Sequence, residues 1–262
     1  MKMFSNRFLS LLCVCSILIT TGALACTAQN NPVPRTPSDV VREFYKAMRE
    51  HRFREAFAMT SYKPAVEGLN AEEMELLRPG FEEKAAAIDA TVEITGEQIS
   101  GDKATVFVKV PVTATTPQVT SQPLNLVKSG NDWIILFGSE ADAAEVKKAG
   151  RRYLLDMLIE GHEADAEDFL KRLAIWEGIY NSQHNGVYSD FNALIQAGMF
   201  SNDVIDPKLS GYNYHITVAK DGKTYVAGAE PVNHGKTGKL SFWADQTGAI
   251  KSADNGGRPL KP

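Results

Sequence analysis

The residues able to ligate a metal or move a proton are thinly spread along this chain. Five histidines, His51, His162, His184, His215 and His234, form neither a His-x-His nor a His-x-x-x-His pair. Gly161-His162-Glu163 lacks the His-Glu-x-x-His spacing that sets two imidazoles on one helical face. Asp245-Gln246-Thr247-Gly248 is an oxygen-rich turn where calcium would fit best. The simpler reading of those four residues is a turn in which Asp245 accepts from nearby amides. No metal and no cofactor are expected.

Nucleophilic chemistry has as little to build on. No Gly-x-Ser-x-Gly is present, and the three cysteines are Cys13, Cys15 and Cys26, all close to the start. Gly235-Lys236-Thr237-Gly238 imitates a phosphate loop, but the Walker spacing demands glycine where Glu230 stands. An acid–base enzyme would need His51, Glu93, Glu97 or Lys109 turned into a pocket. His51 falls at a turn, and charges on a half-exposed strand mark its wet face. The expectation is a protein with no catalytic residues, not an enzyme.

One cysteine has a different chemistry in view. Lys2 and Arg7 precede an apolar run, Phe8 to Ile19, and Thr20 to Ala25 is a small-residue region ending at Cys26. The run is short for a bilayer span and reads as an export signal, residues 1–25. Ala23-Leu24-Ala25 is an ordinary signal-peptidase site, which would leave a soluble periplasmic or secreted chain. A small residue directly before Cys26 resembles a bacterial lipobox, with leucine and the small residue interchanged. Loss of Cys13 and Cys15 with the leader leaves a single thiol, odd for an oxidising compartment unless Cys26 carries lipid. Residues 26–37, rich in Pro and Asn, then read as a tether. The expected location is the cell envelope, with lipidation of Cys26 holding the chain to a membrane.

Removing Lys2 and Arg7 takes the formal charge from −4 to −6, which argues against nucleic acid as a partner. With no internal disulfide, folding must rest on core burial. About 230 residues suffice for two ordinary domains.

The helices and strands that must carry any site are well signalled. Thr36, Pro37 and Asp39 make a capping box before Val40, Val41, Phe44 and Met48, one helical face. Phe53, Ala56 and Phe57 continue it as a short helix. Asn70 and Glu73 open a third, which Pro79-Gly80 is expected to kink or split. From residue 91 the period becomes two. Strands are predicted over 91–99, 103–113 and, after a Pro- and Thr-rich linker, 122–128. Trp133 to Phe137, apolar throughout, is predicted as a central strand. Ser139 and Asp142 open a further helix, with a break predicted at Gly161-His162. Lys147, Lys148, Arg151 and Arg152 form a basic cluster that Glu140, Asp142 and Glu145 offset at helical spacing. After the break Phe169, Leu170, Leu173, Trp176 and Tyr180 form one stripe, with Lys171, Arg172 and Glu177 off it. Ser189 is read as the cap of a short helix ending at Gly198. Three strands follow, 212–219, 223–232 and 240–245, the first two joined at Asp221-Gly222. Phe242 and Trp243 are adjacent, so a regular strand turns only one inward. Trp243 is the candidate for an outward partner surface.

The fold class is therefore α+β. Pro37-Ser38-Asp39-Val40-Val41-Arg42-Glu43-Phe44-Tyr45, Arg54-Glu55-Ala56-Phe57, Gly96 to Val106 and Trp133-Ile134 resemble a bacterial lipoprotein domain of unknown function with the cystatin-like, or nuclear-transport-factor-two-like, cone fold. The resemblance implies helices on an antiparallel sheet over residues 38–138. A second resemblance is to the globular head of type IV pilins and pseudopilins. It rests on Ala174 to Tyr180, Tyr188 to Leu194, the loop from Gly198 through Asp206-Pro207-Lys208-Leu209, Gly211-Tyr212-x-Tyr214, Tyr225-x-Ala227-x-Ala229-x-Pro231, Gly235 to Gly238, and Phe242 to Ile250. It implies a helix on a small antiparallel sheet over residues 163–262, after a linking helix over 139–162. The pilin polymerising segment is missing. Ten charges between Lys147 and Asp168 exclude that stretch from a bilayer or a dry filament core.

The expected function is that of a non-catalytic envelope lipoprotein acting by ligand or partner binding. Two alternatives stand beside it: an accessory of a type IV pilus or type II secretion apparatus, docking on pilin-like subunits, and an enzyme with its pocket in the cone. The small-molecule ligand is not specified by any motif.

Overall fold

The computed structural model describes residues 35–88, 92–113 and 116–261. The leader, Cys26 and most of the tether lie outside the described residues. Within Pro34–Pro262 the apolar side chains gather into two hydrophobic cores, and the architecture is mixed α+β with two four-stranded antiparallel sheets.

Four helices build one wall of the first core. Helix α1 (Pro37–Arg49) starts at the predicted capping box, and Val40, Val41, Phe44, Ala47 and Met48 are its buried stripe. Helices α2 (Phe53–Ala58) and α3 (Lys63–Glu67) follow, the latter unheralded by any cap. Helix α4 (Ala71–Ala86) begins at the Asn70–Glu73 box and passes through Pro79 without splitting. Glu75, Pro79 and Gly80 are exposed, so the Glu75 carbonyl that loses its i+4 donor to the proline can be solvated instead.

The first sheet is a meander of β1 (Glu93–Ser100), β2 (Lys103–Thr113), β3 (Thr116–Ser129) and β4 (Asp132–Ile135). Ala104, Val106 and Val108 face the core, as the alternation requires. The predicted linker before residue 122 is instead strand, since β3 pairs with β2 back to Thr116. Prolines are tolerated there because β4 pairs only with residues 126–129, leaving the far side of β3 open where Pro123 stands. The apolar strand expected at the centre is at the edge. Its outer side is satisfied by the α2–α3 connection: the Ser61 amide donates to the Ile135 carbonyl at 2.8 Å, and the Ile135 amide to the Met59 carbonyl at 2.9 Å. That cover is why an edge strand has buried Trp133 and Ile135.

Helix α5 (Glu140–Ala149) has the predicted Ser139–Asp142 box and buries Val146 in the first core. The chain then breaks at Gly150, which has φ +55° and ψ −136°, rather than at Gly161. Helix α6 (Arg152–Gln183) is continuous for 32 residues. A Cβ on Gly161 would meet nothing within 4 Å, so nothing in its surroundings calls for a break there. Leu154 and Leu155 belong to the first core; Ala166, Phe169, Leu170 and Leu173 belong to the second. Residues 139–162 are thus two helices packed on the first core, not one linking helix.

The second sheet runs β5 (Tyr212–Val218), β6 (Tyr225–Pro231), β7 (Leu240–Asp245) and β8 (Ile250–Asp254), in sequence order. The edge strand β8 escaped prediction because Ile-Lys-Ser-Ala-Asp is nearly all exposed. The short helix α7 (Phe191–Gln196) is capped by Asp190, whose carboxylate accepts from Ala193 at 2.9 Å; Ser189 is engaged elsewhere. A one-turn helix α8 (Pro207–Ser210) precedes β5. Among the described residues no helix is long and apolar enough to cross a membrane.

Candidate functional site

The space between the first sheet and its helices is filled by rings. Phe57 lies 4.6 Å from Phe81, Phe44 lies 5.7 Å from Phe137, and Tyr62 lies 5.6 Å from Phe137 and 5.8 Å from Tyr153, measured between centroids. Burial pushes the Tyr45 and Tyr62 hydroxyls up from their ordinary value. Packing of this kind is an interior, held by dispersion and edge-to-face contacts.

The open volume lies outside that interior, at the β4 edge. A trough of about 560 Å³ is walled by the start of α3, the β1–β2 turn, the end of β3, β4 and one face of α5. It continues into a neighbouring hollow of about 580 Å³ through the shared residues Lys103, Val127, Leu136 and Glu140. The floor is apolar: Pro64, Val127, Ile134 and Leu136. Val127 and Ile134 are cross-strand partners on the sheet face turned away from Trp133 and Ile135. The α5 wall is Glu140, Ala143, Ala144 and Lys147, spaced three and four apart as one helix face requires. Two alanines on that face keep the trough open.

Four lysines line the trough, Lys63, Lys103, Lys128 and Lys147, against two acids, Asp102 and Glu140, with Lys128 turned to the Trp133 face of the sheet. Lys103 and Glu140 are hydrogen-bonded across the junction of the two hollows, which raises the lysine and lowers the carboxylate from their usual values. Lys128 stands 5.5 Å over the Trp133 ring and 3.9 Å from Asp102. Lys63 lies 3.6 Å from Glu67, one turn along α3. Lys147 has no carboxylate within ion-pair distance among the described residues. The predicted neutralisation of the basic cluster within α5 does not occur. Glu140 reaches Lys103, Asp142 caps Ser139, Arg151 pairs with Glu73 and Arg152 with Asp156. The turn at Gly150 takes both arginines off the α5 face.

Other singled-out residues fall into structural roles. His51 is 3.9 Å from Glu82, His162 Nδ1 is 3.0 Å from the Thr237 carbonyl, and His184 stacks on Tyr180 at 3.8 Å. His234 bonds Asp254 at 2.8 Å. No group of three or more His, Cys, Asp or Glu able to hold a metal is found among the described residues. Asp245 accepts from the Thr247 amide at 2.9 Å, closing the β7–β8 turn. In the Gly235 to Gly238 loop the Thr237 hydroxyl donates to the Gly211 carbonyl at 2.8 Å, a buried tie. Glu93 pairs with Lys109 at 2.9 Å on the wet face of the first sheet, and Glu97 accepts from the Ser38 amide at 2.7 Å. Trp243 is only 7% exposed, with the Lys251 ammonium 4.8 Å above its ring, while Phe242 fills the core on the other face. Both faces of β7 are covered, so the expected outward ring is replaced by a buried one. Cys26 lies outside the described residues.

Two titratable residues had no motif to announce them. Glu177, expected off the apolar stripe, is 0% exposed; its carboxylate accepts from the Ser189 amide at 3.0 Å. Desolvation pushes its pKa up to about 7, against the opposing pull of the Ser189 bonds. Glu230 differs in setting: one oxygen faces His215 Nδ1 at 3.2 Å, and the other, like the Ser241 hydroxyl, is buried without a hydrogen-bond partner among the described residues.

 Its hydrogen bond with Glu230 raises the His215 pKa, against a smaller desolvation effect. Both atoms sit over Gly228, where a Cβ would come within 2.4 Å of His215 Cε1 and 3.1 Å of Glu230 Oε1. A second large cleft, about 680 Å³, is lined by α4, α6, α8 and the β6–β7 loop, with Glu75, Glu83 and Asp165 among its lining residues against Lys208.

No family model matches this chain. No curated protein matches it either. Among solved structures, a Campylobacter jejuni protein named "Putative NTF2-like transpeptidase" matches over 40% of this chain and 100% of its own, at 18% identity and a TM-score of 0.28. The expectation that this chain is not an enzyme is corrected on that finding, because the neighbour bears an enzyme's name. A likeness of this size carries no argument for an activity here, and the exclusion of one is withdrawn.

Proposed function

We propose that this protein is a lipid-tethered binding protein of a bacterial envelope, which takes a ligand into the trough beside α5. The finer reading of its two halves, a cystatin-like cone followed by a pilin-like head, belongs to the same proposal. Support for the tether is the leader pattern, the lipobox-like Ala25-Cys26 and the polar stretch that follows. Support for the halves is the order of elements: helices then a four-stranded meander, and a long helix then a second meander.

The observation that carries the binding reading is the trough, a mainly apolar floor bordered by lysines, with a volume in the range that small ligands occupy. Two experiments test the proposal. Intact mass of protein extracted from membranes should show an acylated chain beginning at Cys26; an unmodified thiol on a freely soluble chain would refute the tether. Native mass spectrometry of the same preparation should show a retained adduct that Ala144→Leu removes, since a leucine there fills the trough from an exposed helix position.

A further inference from the structure

The charge and shape of the trough specify more than that something binds. Its floor is mainly apolar, from Pro64, Val127, Ile134 and Leu136, with Thr60, Ser61 and Ser129 also in the lining. Its rim offers ammonium groups in excess of carboxylates. The four are not equivalent. Lys103 is held by Glu140, and Lys128 lies between Asp102 and the Trp133 ring. Lys147, on the α5 wall beside Ala143 and Ala144, has no anionic partner among the described residues. A ligand that places an anion at Lys147 gains a charge-assisted contact without breaking an existing pair. A cationic ligand would meet uncompensated repulsion at the same point.

Resting on the reading of the trough as a binding site, we infer that its ligand is a free, single-chain anionic amphiphile. The aliphatic chain lies on Val127, Ile134 and Leu136, and the acidic headgroup meets Lys147 at the rim, since Lys63 is already paired with Glu67. The cleft lined by Glu75, Glu83 and Asp165 is a built-in contrast, for its acids disfavour the same headgroup.

The test is an amide-resolved NMR titration of the purified full chain with four probes, each below its micellar concentration: decanoate, decyltrimethylammonium, decyl maltoside and acetate. Decanoate should shift the amides of Ala143, Ala144 and Lys147 and leave those of Glu75 and Asp165 unmoved. Lys147→Glu should weaken decanoate about tenfold or more, an effect that added salt diminishes. Ala144→Leu should abolish it, with the rest of the spectrum retained as the check on folding. Acetate should do nothing, since the headgroup alone lacks the apolar contact.

If decyltrimethylammonium or decyl maltoside shifts the trough amides as strongly as decanoate, the binding reading stands and the anionic assignment is overturned. If no probe reaches the trough, both fall together. If the protein binds phosphatidylglycerol vesicles yet ignores free decanoate, the basic rim is a membrane contact and the inference is overturned in favour of that surface.

Discussion

A carboxylate that loses its water holds its proton to higher pH, and Glu177 is placed to do so. Burial raises its pKa to about 7 from an ordinary 4.5. Between those two values the folded protein keeps a proton that the unfolded chain has released, so stability falls as pH rises across that window. His215 acts in the same direction. Its raised pKa, due first to Glu230, contributes stability below its unfolded value that is lost as pH climbs through the folded one. Denaturant unfolding of the second core should therefore weaken from pH 5 to pH 8. Glu177→Gln, neutral throughout and still able to accept from the Ser189 amide, should match the parent at pH 5 and exceed it at pH 8. Equal losses in parent and variant would place the pH dependence elsewhere. Glu177→Ala leaves that amide without its acceptor and should cost about 1–3 kcal/mol. At the other titrating pair, Gly228→Ala puts a methyl where the His215 ring lies. The ring must swing away from Glu230, and NMR titration should return the His215 pKa toward that of an ordinary histidine.

Two glycines separate what an element tolerates from what it requires. Gly150 ends α5 with φ +55° and ψ −136°, a conformation that side chains resist. Gly161 is an ordinary position inside α6 with open space around it. Gly150→Ala should destabilise by about 1–3 kcal/mol, whereas Gly161→Ala should stabilise by roughly 0.5–1 kcal/mol. Urea unfolding of the two variants gives the comparison, and a loss at Gly161 would show that a bend there is needed after all. Glycine in a helical run signals a stop only if its φ turns positive, and the residues around Gly150 and Gly161 do not tell the two apart. The caps behaved otherwise. Thr36–Asp39, Asn70–Glu73 and Ser139–Asp142 each form the reciprocal box that their spacing predicts, because every partner is three residues away.

At the level of the whole chain, two cores share one long helix. Leu155 lies in the first and Leu173 in the second. An ion pair, Lys236 with Glu72 at 2.6 Å, also joins the halves, but both ends are exposed and such pairs contribute at most about 1 kcal/mol. Leu173→Ala, costing about 2–5 kcal/mol locally, should expose the amides of β5 to β7 to hydrogen exchange well before those of β2 and β3. Uniform loss of protection in both sheets would show that the cores unfold as one.

Local patterns carried a good part of this fold. The helical caps, the alternation of Ala104, Val106 and Val108, the Asp221-Gly222 hairpin and the buried stripe of Phe169, Leu170 and Leu173 are all set by neighbours within a few residues. Their outcome hardly depends on the rest of the chain. Tertiary contact settled the remainder. The Met59–Ser61 segment made an edge position suitable for an apolar β4, the loop at Ser189 buried Glu177, and Lys251 closed over Trp243. The trough belongs to this second kind. Lys63, Lys103, Ile134 and Lys147 come from four elements far apart in sequence, and the chemistry of such a surface exists only once their backbones are fixed side by side.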